Sequence, residues 1–118
     1  MQENDVRDHC LFCKIADGKI PATIVHTTPD TVAFRDVNPQ APTHILVIPR
    51  VHVPNAAATG GHDLWESVMS AAAAVALSEH LGERGYRLVV NSGPDAGQSV
   101  DHLHVHVLGG RRLAWPPG

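Results

Sequence analysis

The stretch Gly97-Gln98-Ser99-Val100-Asp101-His102-Leu103-His104-Val105-His106-Val107-Leu108 places three histidines in alternation with apolar residues. Alternate side chains of a β-strand share one face, so this pattern predicts a strand whose imidazoles project together while its apolar residues face the core. Successive imidazoles then stand roughly 7 Å apart. The stretch therefore predicts a row of histidines that can share one ligand.

A glycine-rich loop precedes the histidines. It runs from Asn91 to Asp101 and carries the amide of Gln98 and the hydroxyl of Ser99. Backbone of this kind can turn its N–H groups onto an anion. An anion cradle beside a row of imidazoles indicates phosphate chemistry, although an exposed polar strand face is the ordinary alternative.

These residues resemble the signature of the histidine triad (HIT) family, in which His-x-His-x-His is flanked by apolar residues and preceded by Gly-Gln-Ser. The segment from Phe34 to His44 and the ending Trp115-Pro116-Pro117-Gly118 resemble its Hint branch, the purine nucleoside phosphoramidases. The similarity extends from about Leu11 to Gly118. It implies an α+β fold and a homodimer across which the sheet is extended.

Length and charge restrict the function classes. The 118 residues fit one domain, 1–118, with a polar N-terminal tail at 1–8 and a C-terminal tail at 111–118. A net charge of −3 without a basic run disfavours a nucleic-acid surface. The N-terminus lacks the features of a signal peptide, and the longest apolar run, Ala71 to Leu77, is too short to cross a membrane. We expect a cytoplasmic protein.

Hydrophobic periodicity and turn residues give the order of elements. They predict a short helix at 11–16, a long helix at 62–81 and strands at 23–28, 31–37, 44–48, 86–91 and 102–108. Five strands with short connections predict an α+β fold, a five-stranded antiparallel meander with both helices on one face. The alanine-rich face of the long helix is wide enough to contact a second chain as well.

Cys10 and Cys13 are spaced C-x-x-C. That spacing is compatible with metal ligation, with redox chemistry or with a buried pair of thiols. The resemblance adds His44 and His102, which with the cysteines form the four-ligand zinc set of some family members. Such a set is closed and hence structural. Without a metal, we expect the two histidines to steady the triad by hydrogen bonds.

The resemblance also implies a mechanism. His104 attacks the α-phosphorus of a nucleoside 5′-phosphoramidate, and water cleaves the resulting nucleotidyl-histidine. His106 and the N–H groups of Gly97 to Ser99 stabilise the phosphoryl oxygens, while Ser99 assists the departing amine. His102 completes the predicted catalytic residues.

A nucleotide pocket follows from the same resemblance. The base and ribose would contact Phe12, Ile15, Phe34, Asp36 and Val37. The phosphate would contact Asn91, Gly97, Gln98, Ser99, His104 and His106. An ordinary hydrophobic core accounts equally for its apolar members. Asp36, expected on the ribose hydroxyls, is the member that a core does not explain. No organic cofactor is expected.

Two other functions stay open. One is hydrolysis of dinucleoside polyphosphates, as in the Fhit-like branch, and the other is a non-catalytic nucleotide-binding dimer. The remaining histidines stand in polar or terminal settings and are expected on the surface: His9, His26, His52, His62 and His80.

Overall fold

The computed structural model describes residues 3–58 and 61–118, and side chains from residue 6 onward. Its helices are α1 (Glu3–Asp8), α2 (Leu11–Ala16) and α3 (His62–Ser78); its strands are β1 (Ile24–Thr27), β2 (Thr31–Arg35), β3 (Thr43–Pro49), β4 (Tyr86–Val89) and β5 (Val105–Gly109). Short 3₁₀ turns lie at Ala56–Ala58 and Pro94–Ala96. The α+β class and the five-stranded antiparallel sheet are confirmed.

The strand order departs from a simple meander. The sheet runs β1-β2-β3-β5-β4, so β5 lies between β3 and the edge strand β4. Helix α3 connects β3 to β4, which leaves room for β5 to pair with both. The register sets Leu46 opposite His106 and Val47 opposite Val105, and this brings the histidine segment beside the most buried strand.

Helices cover both faces of the sheet, contrary to the expectation that they share one. Alternate residues of β3 separate into two cores: Ile45 and Val47 pack with α3, whereas Leu46 and Ile48 pack with α2. This is the two-residue periodicity of a strand buried on both sides. The histidine segment lies on the α2 face, where Phe12 contacts the rings of His102 and His104.

Several predicted boundaries shift. The strand of the triad begins at Val105, because the Leu103 N–H donates to the Val53 carbonyl rather than to a neighbouring strand. The long helix ends at Ser78, and His80 adopts a left-handed φ of 62° just beyond it. The described part of the predicted N-terminal tail is helical, and Arg7 pairs with Asp17 at 2.7 Å.

The C-terminal tail has no helix or strand, but it is held to β4. The Arg87 guanidinium donates to the Ala114 carbonyl at 3.0 Å and lies 5.9 Å from the centre of the Trp115 ring. Trp115 itself remains 80% exposed.

Among the described helices, none is long and apolar enough to cross a membrane.

Candidate functional site

His104 is buried at the centre of the site, and one of its ring nitrogens is committed to the backbone. Its Nδ1 lies 2.8 Å from the carbonyl oxygen of His102. A carbonyl only accepts hydrogen bonds, so Nδ1 carries the proton and Nε2 keeps its lone pair. His104 is thus held in the tautomer in which Nε2 can act as a nucleophile.

His106 is the second histidine of the site, with its ring centroid 5.0 Å from that of His104. Its Nδ1 lies 2.9 Å from Nε2 of His44, and the Gln40 backbone N–H donates to Nδ1 of His44 at 3.0 Å. The Gln40 N–H leaves His44 only Nε2 for its proton, which it donates to His106. His106 therefore carries its own proton on Nε2. We call Gln40, His44 and His106 the imidazole chain.

Nε2 of His106 is the free end of this chain. It is buried and has no hydrogen-bond partner within the described residues. Burial, together with the neighbouring His104 and His44, lowers the pKa of His106 to about 4, and burial also lowers the pKa of His44. Both rings are neutral near pH 7, and an unpaired N–H at the edge of a cavity is suited to an anionic oxygen.

A cavity of about 340 Å³ opens in front of these rings. Eight residues predicted for the nucleotide pocket line it: Phe12, Ile15, Phe34, Asp36, Val37, Ser99, His104 and His106. Sequence reasoning missed several of its walls: Leu11, Ile20, Pro21, Ala22, Leu46 and Val100. Phe12 and Phe34 stand edge to face with centroids 5.4 Å apart. The cavity is a largely apolar slot, and three of its polar residues, Asp36, His106 and His104, lie close together at one end.

Asn91, Gly97 and Gln98 are not among the residues that line this cavity. The Gln98 side chain braces its own loop instead, since its amide donates to the carbonyls of Pro54 and Val100 and its oxygen accepts from the Gly93 N–H. The structure therefore gives Gln98 a bracing position away from the cavity.

Of the three backbone N–H groups that were expected to bind an anion, two donate to the protein's own backbone. The N–H groups of Gly97 and Gln98 donate to the carbonyls of Pro94 and Gly93 at 3.1 Å each. The Ser99 N–H has no hydrogen-bond partner within residues 3–58 and 61–118. Of the three, Ser99 alone keeps its N–H for an anion.

A second cluster lies beside the triad and brings together ligand atoms of Cys10, Cys13, His52 and His102, all within 4.8 Å of one another. We call it the thiol cluster. Nδ1 of His102 lies 3.3 Å from Sγ of Cys10 and 3.4 Å from Sγ of Cys13, and Nδ1 of His52 lies 3.4 Å from Sγ of Cys13. Tetrahedral zinc with ordinary Zn–S and Zn–N bonds sets sulfur and nitrogen about 3.5 Å apart. The four residues therefore fit such an ion.

The protonation of His102 suits ligation. Its Nε2 lies 2.9 Å from the Pro49 carbonyl, so Nε2 carries the proton and the lone pair of Nδ1 faces the thiols. Burial lowers the pKa of His102 to about 4 and also lowers that of His52. Burial, with the hydrogen bond and charge of Cys10, raises the pKa of Cys13 to about 12, so an incoming metal must displace that thiol proton.

His44 does not belong to this cluster, so the predicted ligand set was wrong at one position. His44 lies near the start of β3 and pairs with Leu108, whereas Nε2 of His102 lies 2.9 Å from the carbonyl oxygen of Pro49, the last residue of that strand. His44 and Pro49 are five residues apart, about 17 Å along the strand. His52, expected on the surface, is half-buried beside the thiols in its place.

Comparisons with known proteins show the family of this chain. The model of the HIT domain family matches residues 17–113. The chain belongs to the HIT family. A HIT family hydrolase from Legionella pneumophila Philadelphia 1 has 47% identity and a TM-score of 0.91, covering 93% of this chain and all of that one.

Two further relatives of this HIT protein are zinc proteins. A 14 kDa zinc-binding protein of Zea mays is 48% identical over 112 residues, which are 92% of this chain and 87% of that protein. A zinc-bound histidine triad family protein from Mycobacterium smegmatis superposes with a TM-score of 0.81 at 26% identity, covering 90% of this chain and 78% of that one.

Proposed function

We propose that this HIT protein is a hydrolase that cleaves the P–N bond of purine nucleoside 5′-phosphoramidates through a nucleotidyl-histidine intermediate. The observation that carries the proposal is the pairing of two fixed tautomers: a free lone pair on His104 and a free N–H on His106, side by side at one end of an apolar slot. The lone pair of His104 suits attack on phosphorus, and the N–H of His106 suits hydrogen bonding to the negatively charged phosphoryl oxygens. Similarity to HIT family hydrolases supports the reaction class.

The slot supplies binding. We expect its two phenylalanines to pack against a purine ring, and the carboxylate of Asp36, at the end of the slot near His106, to accept the ribose hydroxyls. The α-phosphate then lies between His104, His106 and Ser99, the polar residues at that end. Small-molecule sites commonly combine apolar walls with a few convergent polar groups in this way.

The first step forms a bond from Nε2 of His104 to phosphorus while the P–N bond to the amine breaks. The departing nitrogen takes up one proton, which the solvent-exposed Ser99 hydroxyl can relay from water. Water then attacks phosphorus and releases one proton to solvent, the bond to His104 breaks to return the neutral imidazole, and a nucleoside monophosphate leaves. The His102 carbonyl stabilises the His104 ring as it gains positive charge.

His106 and the Ser99 N–H stabilise the charge on the non-bridging oxygens. Donors fixed before the reaction need no reorganisation when charge develops, which is why such groups lower barriers effectively. The imidazole chain fixes His106: without a donor at its Nδ1, the ring could place its proton on the wrong nitrogen.

We propose that the thiol cluster holds one structural Zn²⁺. Four protein ligands close the coordination shell, and the ion would join α2 to the loop after β3 and to the segment before β5. Bound zinc supplies rigidity at His102, whose carbonyl orients His104. The cytoplasm suits these thiols because its reducing conditions keep them available for a metal.

We further propose a homodimer. The exposed Trp115, held by Arg87 rather than left free, offers an anchor through which the C-terminal tail can reach the partner's site and contact the leaving amine.

Turnover assays test the proposed activity. Adenosine 5′-phosphoramidates of small primary amines should be hydrolysed to AMP with at least about tenfold higher kcat/KM than diadenosine polyphosphates. Faster cleavage of the polyphosphates would favour the Fhit-like activity. AMP binding without turnover of either substrate would indicate a non-catalytic nucleotide-binding protein.

A further inference from the structure

Asp36 has a second neighbour besides the cavity. Its Oδ2 lies 3.4 Å from Nε2 of His44, the same nitrogen that lies 2.9 Å from Nδ1 of His106. Its other oxygen, Oδ1, accepts the Asn38 N–H at 2.8 Å, which fixes the orientation of the carboxylate. The carboxylate therefore sits at a junction between the cavity and the imidazole chain.

One proton at this junction lies near two groups. The Gln40 N–H occupies Nδ1 of His44, so a neutral His44 has one proton to donate, and it donates that proton to Nδ1 of His106. Oδ2 of Asp36 lies 3.4 Å from the same nitrogen without forming a hydrogen bond to it, but its negative charge attracts the proton. A hydrogen bond whose proton is attracted to a second, charged group holds His106 less firmly.

We propose that Asp36 couples ribose recognition to the orientation of His106. Two ribose hydroxyls that donate to the carboxylate satisfy its oxygens and weaken its attraction for the His44 proton. That proton then passes wholly into the bond with His106 and aligns the N–H of His106 with the phosphoryl oxygens. The inference rests on the proposed function and makes Asp36 a positioning residue as well as a ribose ligand.

This coupling makes the 2′,3′-diol a determinant of rate and not of binding alone. A hydroxyl that served only to bind would change KM and leave kcat untouched. A hydroxyl that also releases the His44 proton must change kcat, although it is remote from the reacting bond. The favoured substrates are accordingly ribonucleotides with both hydroxyls free.

The kinetic test compares adenosine and 2′,3′-dideoxyadenosine 5′-phosphoramidates of one amine. In the wild type, loss of the diol should lower kcat about tenfold in addition to raising KM. In Asp36→Asn, which removes the charge but keeps the shape, the two values of kcat should agree within about twofold. Glu83→Gln, the corresponding change at an exposed residue that does not line the cavity, should behave as the wild type does.

A spectroscopic test needs no turnover. Nitrogen-15 NMR reports which ring nitrogens of His44 and His106 carry protons, and it can be recorded on wild-type protein with AMP or 2′,3′-dideoxy-AMP. AMP should shift the Nδ1 signal of His106 toward a stronger hydrogen bond, and the dideoxy analogue should not.

The outcomes separate this inference from the proposed function. Equal kcat for the two sugars in the wild type, or the same NMR shift with both nucleotides, would overturn the coupling while hydrolysis stands. Failure to hydrolyse any phosphoramidate would overturn the proposed function, and the NMR comparison would still decide whether Asp36 senses ribose. If Asp36→Asn does not fold, the two wild-type comparisons remain decisive.

Discussion

The two histidine clusters of this protein use the same side chain for opposite purposes. In the thiol cluster, a backbone carbonyl accepts the proton of His102 and leaves a lone pair facing two sulfurs. In the imidazole chain, a backbone N–H occupies the lone pair of His44 and leaves a proton facing His106. The first arrangement suits a metal, and the second suits delivery of a hydrogen bond.

The difference teaches that the backbone partner, rather than the imidazole, decides what a buried histidine can do. Asp36, His44 and His106 also bring three potential ligand atoms within 4.8 Å. Nε2 of His44 must nevertheless keep its proton while the Gln40 N–H donates to Nδ1, so this second group is unsuited to a cation. Between the clusters lies His104, joined to the first through the His102 carbonyl and to the second through contact with His106.

The largest effect on activity is expected from substitution of His104, which lies between the two clusters. His104→Ala should lower kcat by at least about 10⁴-fold, since a covalent route cannot proceed without its nucleophile. AMP binding and the melting temperature should change little, because other groups line the slot. Turnover within about tenfold of the wild type, a barrier change of only ~1.4 kcal/mol, would contradict the assignment.

Two substitutions, one in each cluster, test whether the thiol cluster and the imidazole chain have different functions. His52→Ala should lose most of the roughly one zinc per chain expected of a single four-ligand site and lower the melting temperature by about 10 °C. His44→Ala should keep its zinc, yet lower kcat about tenfold to a hundredfold through the misplaced His106.

Elemental analysis, thermal unfolding and steady-state kinetics on both variants give the readouts. A strong chelator should reproduce the effect of His52→Ala in the wild type and add little to that variant. Zinc loss from His44→Ala with retention in His52→Ala would reverse the assignment of the clusters.

The triad motif, the antiparallel sheet and about half of the residues that line the slot could be predicted because they depend on local periodicity and on a specific signature. The fourth ligand could not, because it depends on how the chain folds. His44 and His52 are both histidines near a buried strand, and only their positions at opposite ends of β3 in the folded chain tell which one lies near His102. The position of β5 inside the sheet was missed for a similar reason, since strand order is set by how α3 crosses the sheet and not by the strands' own sequences.

The sequence also could not predict that the Gln98 side chain hydrogen-bonds its own loop. A glutamine in a glycine-rich loop is equally compatible with facing a phosphate or facing its own backbone. The loop's turn at Gly97, with a φ of 86°, decides in favour of the backbone.

Acid should destabilise the imidazole chain in a defined range. The pKa of His106 falls from its ordinary 6.5 to about 4 on folding, chiefly through burial. Between these values the unfolded chain binds more protons than the folded one, so the free energy of unfolding should fall as the pH is lowered from about 6.5 to about 4, with no further contribution from His106 below that.

Urea unfolding at several pH values, compared between the wild type and His106→Asn, isolates this contribution. The variant should show a shallower loss of stability across the range, whereas His62→Asn, at an exposed position, should follow the wild type. Parallel curves for wild type and His106→Asn would show that the ring is not buried in its neutral form.

The smallest effect concerns the tail, which contributes no ring or ligand to either cluster, although its Arg111 donates to the Gln40 carbonyl at 2.9 Å. Deletion of residues 111–118 should change the relative rates among phosphoramidates of different amines by about twofold to tenfold, while the dimer and AMP binding persist. Sedimentation and a series of substrates that share AMP but differ in the amine provide the test. A monomeric full-length protein, or unchanged relative rates after deletion, would contradict the proposed contact of Trp115 with the leaving group.

The most direct measurement is to trap the intermediate. A phosphoramidate mixed with excess enzyme and quenched within one turnover should yield one AMP unit per chain, and peptide mass spectrometry should find it on His104. The adduct should be absent from His104→Ala and should disappear from the wild type as water completes the reaction. An adduct on another residue, or full turnover with no adduct at any quench time, would contradict nucleophilic attack by His104.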